Sequence, residues 1–101
     1  MKNQKILELA SFKLKEGVNE AEFLNASEKF QKVFVEKQEG YVSRKLVCSN
    51  DGTWCDVVTW NTEENAHAVN KAMNENEIAQ QYCSFMDFNS VEVKHLYIVK
   101  E

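Results

Sequence analysis

Apolar residues occupy both alternating positions in several short segments of this chain, which is the pattern of β-strands covered on both faces. Residues 6–13 predict a first strand in which Glu8 is the single acid on one apolar side. Residues 40–60 predict a hairpin, because two strand-like runs flank an Asn-Asp-Gly turn at residues 50–52. Residues 91–99 alternate again and predict the last strand.

A first amphipathic helix is predicted between the first strand and the hairpin. Asn19 and Glu22 have the spacing of a helix N-cap and a reciprocating acid, and Gly40 is expected to end the segment in a left-handed conformation. Between them, apolar residues recur at intervals of three and four, the spacing of a helix that buries one face. That predicted stripe consists of Phe23, Ala26, Phe30, Val33 and Phe34.

Two further helical segments are predicted between the hairpin and the last strand. Thr62 is a suitable N-cap for the second helix, residues 74–76 are expected to break it, and a third piece covers about residues 77–86. The order βαββαβ predicts a ferredoxin-like α+β fold, an antiparallel sheet with its helices on one face, because right-handed crossovers place them there. The other face of the sheet then needs a second cover, so we expect a homodimer.

The length and charge of the chain narrow the classes of protein to which it can belong. Its 101 residues are the size of one domain, residues 1–101, with a single modest core. A net charge of -4, without a cluster of Lys or Arg, argues against nucleic acid as a partner. The sequence contains neither a signal-peptide pattern nor a long apolar span, so we expect a cytoplasmic protein without a membrane partner.

The three cysteines, Cys48, Cys55 and Cys83, form no C-x-x-C pair, and their odd number fits a reducing compartment. If Asp51 and Gly52 are the two loop residues of the hairpin, Cys48 lies opposite Cys55, close enough for thiol contact. The alternative is that both cysteines are simply small apolar residues of the sheet.

Sequence motifs of several chemistries are missing. The chain contains no G-x-S-x-G elbow, no H-E-x-x-H and no dinucleotide fingerprint, and its three glycines supply no phosphate-binding loop. Two histidines and scattered acids do not form a convincing metal set. We therefore expect neither a metal nor an organic cofactor.

One candidate for chemistry is His95, which shares the apolar side of the last strand and can act as a general base. Glu8 lies on the matching side of the first strand, which neighbours the last strand in this topology, and buried acids need partners. A contact between Glu8 and His95 is therefore predicted, either as a structural bridge or as a catalytic dyad. His67 is flanked by alanines and is expected to be a partly solvated surface residue.

A second set of candidates comes from the hairpin and the third helical segment. Arg44 and Asp56 can each enter a pocket or face a partner subunit, so Arg44 either holds a ligand carboxylate or phenolate or makes an intersubunit ion pair. Trp60, Tyr82 and Phe12 offer flat apolar walls for an aromatic ligand, although aromatic residues at such positions are also common in cores.

With these residues the chain resembles the dimeric α/β-barrel superfamily, and within it the antibiotic biosynthesis monooxygenase type. The resemblance covers nearly the whole chain. It is carried by Phe12 before Gly17, by the Gly-Tyr-Val-Ser-Arg run at residues 40–44, by the Asp-Val-Val-Thr-Trp run at residues 56–60, and by the acid-started helix that follows.

The resemblance implies a homodimer whose sheets pack face to face and whose subunits each keep a cavity between sheet and helices. It further implies a protein that binds a small apolar or aromatic molecule, or a cofactor-independent monooxygenase acting on a phenol or quinol. In that enzyme His95 would be the base, Glu8 its orienting partner, and Trp60 with Tyr82 the walls of the pocket. A non-catalytic ligand-binding or stress-associated protein is the alternative. Haem binding with degradation, through His67 or His95, is a third.

Overall fold

Four antiparallel strands form one sheet in the order β2-β3-β1-β4, as the computed structural model shows for residues 4–101. The strands and α-helices are β1 (Ile6–Phe12), α1 (Glu20–Val33), β2 (Tyr41–Cys48), β3 (Trp54–Trp60), α2 (Glu63–Asn74), α3 (Glu77–Cys83) and β4 (Glu92–Tyr97). Two short 3-10 turns, at Val35–Lys37 and Phe88–Ser90, lie in the connections. This order and topology confirm the predicted ferredoxin-like α+β fold.

Side-chain caps determine where the helices begin. Asn19, Thr62 and Asn76 each accept a hydrogen bond from the backbone N–H three residues further on, at 3.1, 3.0 and 2.9 Å. Each cap satisfies one of the backbone donors that the first turn of a helix leaves free. The predicted caps at Asn19 and Thr62 are therefore confirmed, and Asn76 starts the third helix.

The buried stripe of α1 differs from the predicted one at a single important position. Val33, expected inside, is 50% exposed, whereas Ser27 is buried between Phe23 and Phe30. The helix ends at Val33 and the chain continues into a 3-10 turn, so the inward face follows residues 23, 27, 30 and 34. A polar side chain in this stripe requires a polar partner in the core.

Gly40 lies beyond α1 at a φ of 84°, in the left-handed conformation that was predicted for it. The helix itself ends earlier than this glycine, at Val33. A Cβ added to Gly40 would lie 2.1 Å from the side-chain oxygen of Asn65, so the close approach of α2 also requires glycine here.

The hairpin loop is longer than the two-residue turn that the sequence suggested. The backbone N–H of Ser49 donates to the carbonyl of Thr53 at 2.8 Å, and the Asp51 carboxylate accepts from the N–H of Thr53 at 2.9 Å. These bonds close a five-residue loop, so Cys48 lies opposite Trp54 and Cys55 lies opposite Val47. The predicted pairing of Cys48 with Cys55 is wrong, because the register of the hairpin follows from the loop's length.

Helices cover only part of one face of the sheet. On β1 and β3 that face is buried, but on β4 Val93 and Tyr97 are 49% and 39% exposed. The strand β4 is at the edge of the sheet, beyond the helices. The face of β4 that carries His95 is therefore more exposed to solvent than its apolar pattern predicted.

The opposite face of the sheet carries six apolar side chains among polar ones, and none of its side chains is buried. It carries Leu7, Leu9, Val47, Cys55, Val57 and Leu96, which alternate with the helix-facing positions. We call these six residues the outer face. Within residues 4–101, no helix is long and apolar enough to cross a membrane.

Candidate functional site

A cavity of about 140 Å³ lies between the sheet and the helices. Its walls are largely apolar and include Phe12, Trp60 and Tyr82, the three aromatic residues that the sequence suggested as ligand walls. Glu8 and Asp56 also line it, whereas His95 and Arg44 are not among the lining side chains. The cavity is therefore an apolar space with two carboxylates on its surface.

Glu8 occupies the centre of the sheet, with Val58 beside it on β3 and His95 beside it on β4. One carboxylate oxygen accepts a hydrogen bond from the indole N–H of Trp60 at 3.1 Å, and the other lies 2.7 Å from Nε2 of His95. When the carboxylate is ionised it can only accept, and Nε2 of His95 then carries the hydrogen. The predicted Glu8–His95 contact is present, and Glu8 is the member of the pair that lines the cavity.

His95 lies next to Glu8, at the place where β4 meets α2. Its ring is 5.3 Å from the ring of His67, measured between centroids, and the two planes are nearly perpendicular. The side chain of His67 is 61% exposed, as predicted for a solvated residue, and its Nε2 lies 3.7 Å from Glu63. Tyr97 donates to the same carboxylate at 2.9 Å, and this bond raises the pKa of the Tyr97 hydroxyl. Side chains of α2 and β4 thus meet beside the cavity.

A second polar group surrounds Arg44 and Asp56, on β2 and β3. The Nε of Arg44 donates to Asp56 Oδ1 at 2.8 Å, one terminal nitrogen lies 2.7 Å from the same oxygen, and Tyr82 donates to Oδ2 at 2.7 Å. Only 4% of the Arg44 side chain and 9% of the Asp56 side chain are exposed. Arg44 therefore pairs inside its own chain, and the expected intersubunit ion pair is wrong.

One terminal nitrogen of Arg44 also donates to the Tyr82 hydroxyl at 3.1 Å, and the other donors are directed to α1. They reach the hydroxyl and the carbonyl of Ser27 at 2.9 and 3.5 Å and the side-chain oxygen of Gln31 at 3.2 Å. The guanidinium also lies 5.3 Å from the ring centres of both Phe30 and Tyr82, a distance suited to cation–π attraction. With every nitrogen engaged by the protein, Arg44 has no free donor for a ligand carboxylate.

Burial changes the acidity of the groups next to this ion pair. It raises the pKa of Asp56, against the opposing effects of the Arg44 guanidinium and the Tyr82 hydroxyl. Burial and then the charge of Asp56 raise the pKa of Tyr82, so its hydroxyl stays protonated and donates to that carboxylate. The same two causes raise the pKa of the Cys83 thiol, which lines the cavity.

Some residues of the site had no assigned role from the sequence. Ser27 and Gln31 bind Arg44, and the only signal for them was a polar residue between two apolar positions of the α1 stripe. Asn70 and Cys83 line the cavity from α2 and α3. Their placement depends on how the helices lie across the sheet, which the spacing of apolar residues does not specify. The described part of the chain brings no three metal-binding side chains together.

Comparisons with known proteins give matches only at the level of structure. No family model matches the sequence, and the search of curated proteins gives no significant match. A provisionally named antibiotic biosynthesis monooxygenase from Bordetella bronchiseptica superimposes with a TM-score of 0.80 at 20% identity, over 96% of this chain and 99% of that one.

Two oxygenases of named activity are also similar in structure. A monooxygenase from the gene ActVA-Orf6 of Streptomyces coelicolor, solved with the ligand nanaomycin D, gives a TM-score of 0.73 at 11% identity, covering 98% of this chain and 91% of that one. SnoaB, a cofactor-independent oxygenase from Streptomyces nogalater, gives 0.64 at 12% identity, over 97% and 94% of the two chains. This chain therefore has the ferredoxin-like fold of the antibiotic biosynthesis monooxygenase type.

Proposed function

We propose that this protein binds a small aromatic phenol or quinol in its cavity and oxygenates it without a cofactor. The observation that carries the proposal is the carboxylate of Glu8, which lines an apolar cavity and is held by Trp60 and His95. A fixed base in a site with few competing waters is what the removal of a phenolic proton requires. The shared fold with cofactor-independent oxygenases supports the same reaction class.

In the proposed reaction Glu8 takes the hydroxyl proton of the substrate, which becomes an electron-rich phenolate. The phenolate transfers one electron to O₂, and the two radicals combine at the ring carbon next to the phenolic oxygen. The resulting peroxide takes the proton back from Glu8. Glu8 then removes the hydrogen from that carbon as the O–O bond breaks, so that one oxygen atom remains in an ortho-quinone. The other departs as hydroxide, which takes this proton from Glu8 and leaves as water.

The residues around Glu8 have supporting roles in this scheme. The N–H groups of Trp60 and His95 fix the two carboxylate oxygens, so the base does not rotate away from the substrate. Phe12 and Tyr82 form apolar walls that exclude water from the reactive anion. The resemblance made His95 the base and Glu8 its orienting partner. Because Glu8 lines the cavity and His95 does not, the proposal reverses these roles: Glu8 contacts the substrate and His95 is its positioning residue.

Oxygen consumption with a simple phenol tests the proposal. We expect uptake of one O₂ per quinone formed, one labelled oxygen atom in the product when the gas is ¹⁸O₂, and no hydrogen peroxide. Glu8→Gln should lower the rate by roughly two to four orders of magnitude, the usual contribution of a general base. Glu16→Gln, the same substitution at an exposed position before α1, is the matched control. Equal rates in the two variants would contradict the assigned role.

Ligand binding without turnover is a second candidate function. Among residues 4–101, no buried side-chain nitrogen or oxygen lacks a hydrogen-bond partner, so Glu8 and His95 also form a complete structural pair. In that case His95→Ala leaves Glu8 with one buried oxygen unpaired and costs about 1–3 kcal/mol of stability. A lower melting temperature, with unchanged ligand affinity and no O₂ uptake in the parent protein, would favour this candidate.

The proposed assembly is a homodimer, because the outer face exposes apolar side chains that the sheet of a second subunit would cover. Leu9, Val57 and Leu96 belong to that face. Leu9→Glu adds a charge opposite Lys94, where a monomer tolerates it, and should dissociate the dimer in sedimentation experiments. Leu24→Glu on the exposed side of α1 is the control. A parent protein that sediments as a monomer at micromolar concentration would contradict this assembly.

The proposed location is the cytoplasm, because all three cysteines are free thiols and Cys48 is exposed to oxidants. A reducing compartment preserves that state. Protein isolated from its own cells with Cys48 in a disulfide would contradict the assignment.

A further inference from the structure

The size and the charge of the cavity limit the molecules that it can hold. We infer that its ligand is an uncharged compound with a single aromatic ring, a phenol or hydroquinone whose hydroxyl donates to Glu8, and that aromatic carboxylates and fused polycyclic compounds are excluded. This inference rests on the proposed function only in taking the cavity as the binding site, since it requires no turnover.

The volume of the cavity sets the limit on size. At about 140 Å³ it is close to the roughly 150 Å³ of an engineered apolar cavity in another protein that binds benzene. One ring with one or two hydroxyl groups fills such a space. A second or third fused ring needs the walls to separate, and those walls include Trp60 and Tyr82, each about 1% exposed in the packed core.

The arrangement of charge around the cavity sets the second limit. Glu8 and Asp56 place two carboxylates on its surface, and among the described residues no Lys or Arg lines it. Arg44 is the nearest positive group that could hold an anion, but each of its nitrogens already binds a residue of the protein. A ligand carboxylate would leave water without gaining a cation, and it would lie near two groups of its own charge.

In contrast to a ligand carboxylate, a ligand hydroxyl group has a hydrogen-bond partner in the cavity. The Glu8 carboxylate accepts one hydrogen bond at each oxygen, from Trp60 and His95, and a carboxylate has further acceptor capacity. A phenolic hydroxyl can therefore donate to it at the surface of the cavity. The ring then rests among apolar side chains such as Val69 and Met73.

The mouth of this cavity is identified by side chains that both line it and remain exposed. These are Asn70 on α2 with Val91 and Val93 at the edge of the sheet. A ligand enters between α2 and β4, past apolar side chains, which again favours an uncharged molecule.

Binding to the ¹⁵N-labelled protein tests the inference, because the chain has two indole N–H groups and one of them reports on the site. Trp60 donates to Glu8, whereas Trp54 is not among the lining residues and serves as an internal control. The probes are para-cresol, benzoate, 4-methylanisole and 1-anthrol. Compared with para-cresol, 4-methylanisole removes the hydroxyl donor, benzoate replaces that donor with a negative charge, and 1-anthrol adds two rings.

Para-cresol is expected to shift the Trp60 signal and not the Trp54 signal. Benzoate and 4-methylanisole should have affinities at least about tenfold lower than that of para-cresol. Anthrol should not bind. In Glu8→Gln, the preference for cresol over benzoate should shrink, because one carboxylate is lost.

Benzoate or anthrol that shifts Trp60 as readily as cresol does would overturn the limits on charge or size, while leaving a ligand site in the cavity. If no aromatic probe shifts Trp60, the inference fails together with the proposed function. A shift at Trp54 alone would place binding elsewhere and would also overturn it.

Discussion

Removal of the positive charge from the core is the most direct test of how this fold is held together. In Arg44→Met the side chain keeps its apolar volume, but Asp56 loses the one cationic partner that it has among residues 4–101 and keeps the hydroxyl of Tyr82. Because both side chains are at least nine-tenths buried, water cannot replace the guanidinium. We expect a loss of roughly 3–5 kcal/mol, the cost of leaving a buried charge without its partner.

The double variant Arg44→Met with Asp56→Leu separates this cost from the loss of packing. Replacing both members with apolar residues removes the unpaired charge, so most of the lost stability should return. Lys29→Met, at an exposed position of α1 and away from the outer face, is the matched control and should be nearly neutral.

The effect of Arg44→Met also depends on pH. Burial raises the pKa of Asp56, and without Arg44 nothing cationic opposes that shift, so the variant's folded state takes up a proton more readily than its unfolded state. Stability then falls as pH rises through the folded-state pKa, and the deficit should be smaller near about pH 5 than near about pH 8. Urea unfolding at fixed protein concentration measures both quantities. A deficit below about 1 kcal/mol that does not change with pH would refute the reasoning.

Three further experiments address other parts of the molecule. Gly40→Ala should lower the stability by at least about 1–3 kcal/mol, since it adds a clash with α2 to backbone strain. Gly17→Ala, at a φ of 81° with open space around it, should show the cost of the strain alone. Thermal unfolding measures both losses. Iodoacetamide should label the half-buried Cys83 thiol, whose pKa is raised, more slowly than exposed Cys48, and para-cresol should slow only Cys83. Added haem should only broadly quench fluorescence; a sharp Soret band with one haem per subunit would instead establish the haem-binding alternative.

The Glu8–His95 pair was predictable because strand topology and side-chain alternation together specify which residues are neighbours. Once β1 lies beside β4 in antiparallel register, a residue of one strand has a defined partner on the other. The same reasoning left Arg44 and Asp56 open between a pocket and a partner subunit. It did not reveal that the two residues pair with each other, because the groups that hold Arg44 in place come from Ser27 and Gln31, on a helix distant in sequence.

Two other features could not be predicted from sequence patterns, because they depend on three-dimensional geometry. The register of the hairpin follows from side-chain bonds in the loop, where Ser49 and Asp51 bind Thr53, and a dipeptide turn signal does not include those bonds. The exposure of Val93 follows from how far the helices extend across the sheet. Alternation assigns a residue to a face but does not say whether a helix covers that part of the face.

The two sides of the cavity differ in how strongly they are attached, and this difference bears on motion. Arg44 joins α1, β2 and β3 and contacts Tyr82 of α3, so those elements can separate only by exposing a buried charge. The described side-chain contacts between α2 and β4 lie near the surface, at His67 with His95 and at Glu63 with Tyr97. Local opening should therefore occur first along α2 and β4, with faster amide hydrogen exchange there. We expect the proposed ligand to exchange by this partial opening while the rest of the core stays closed.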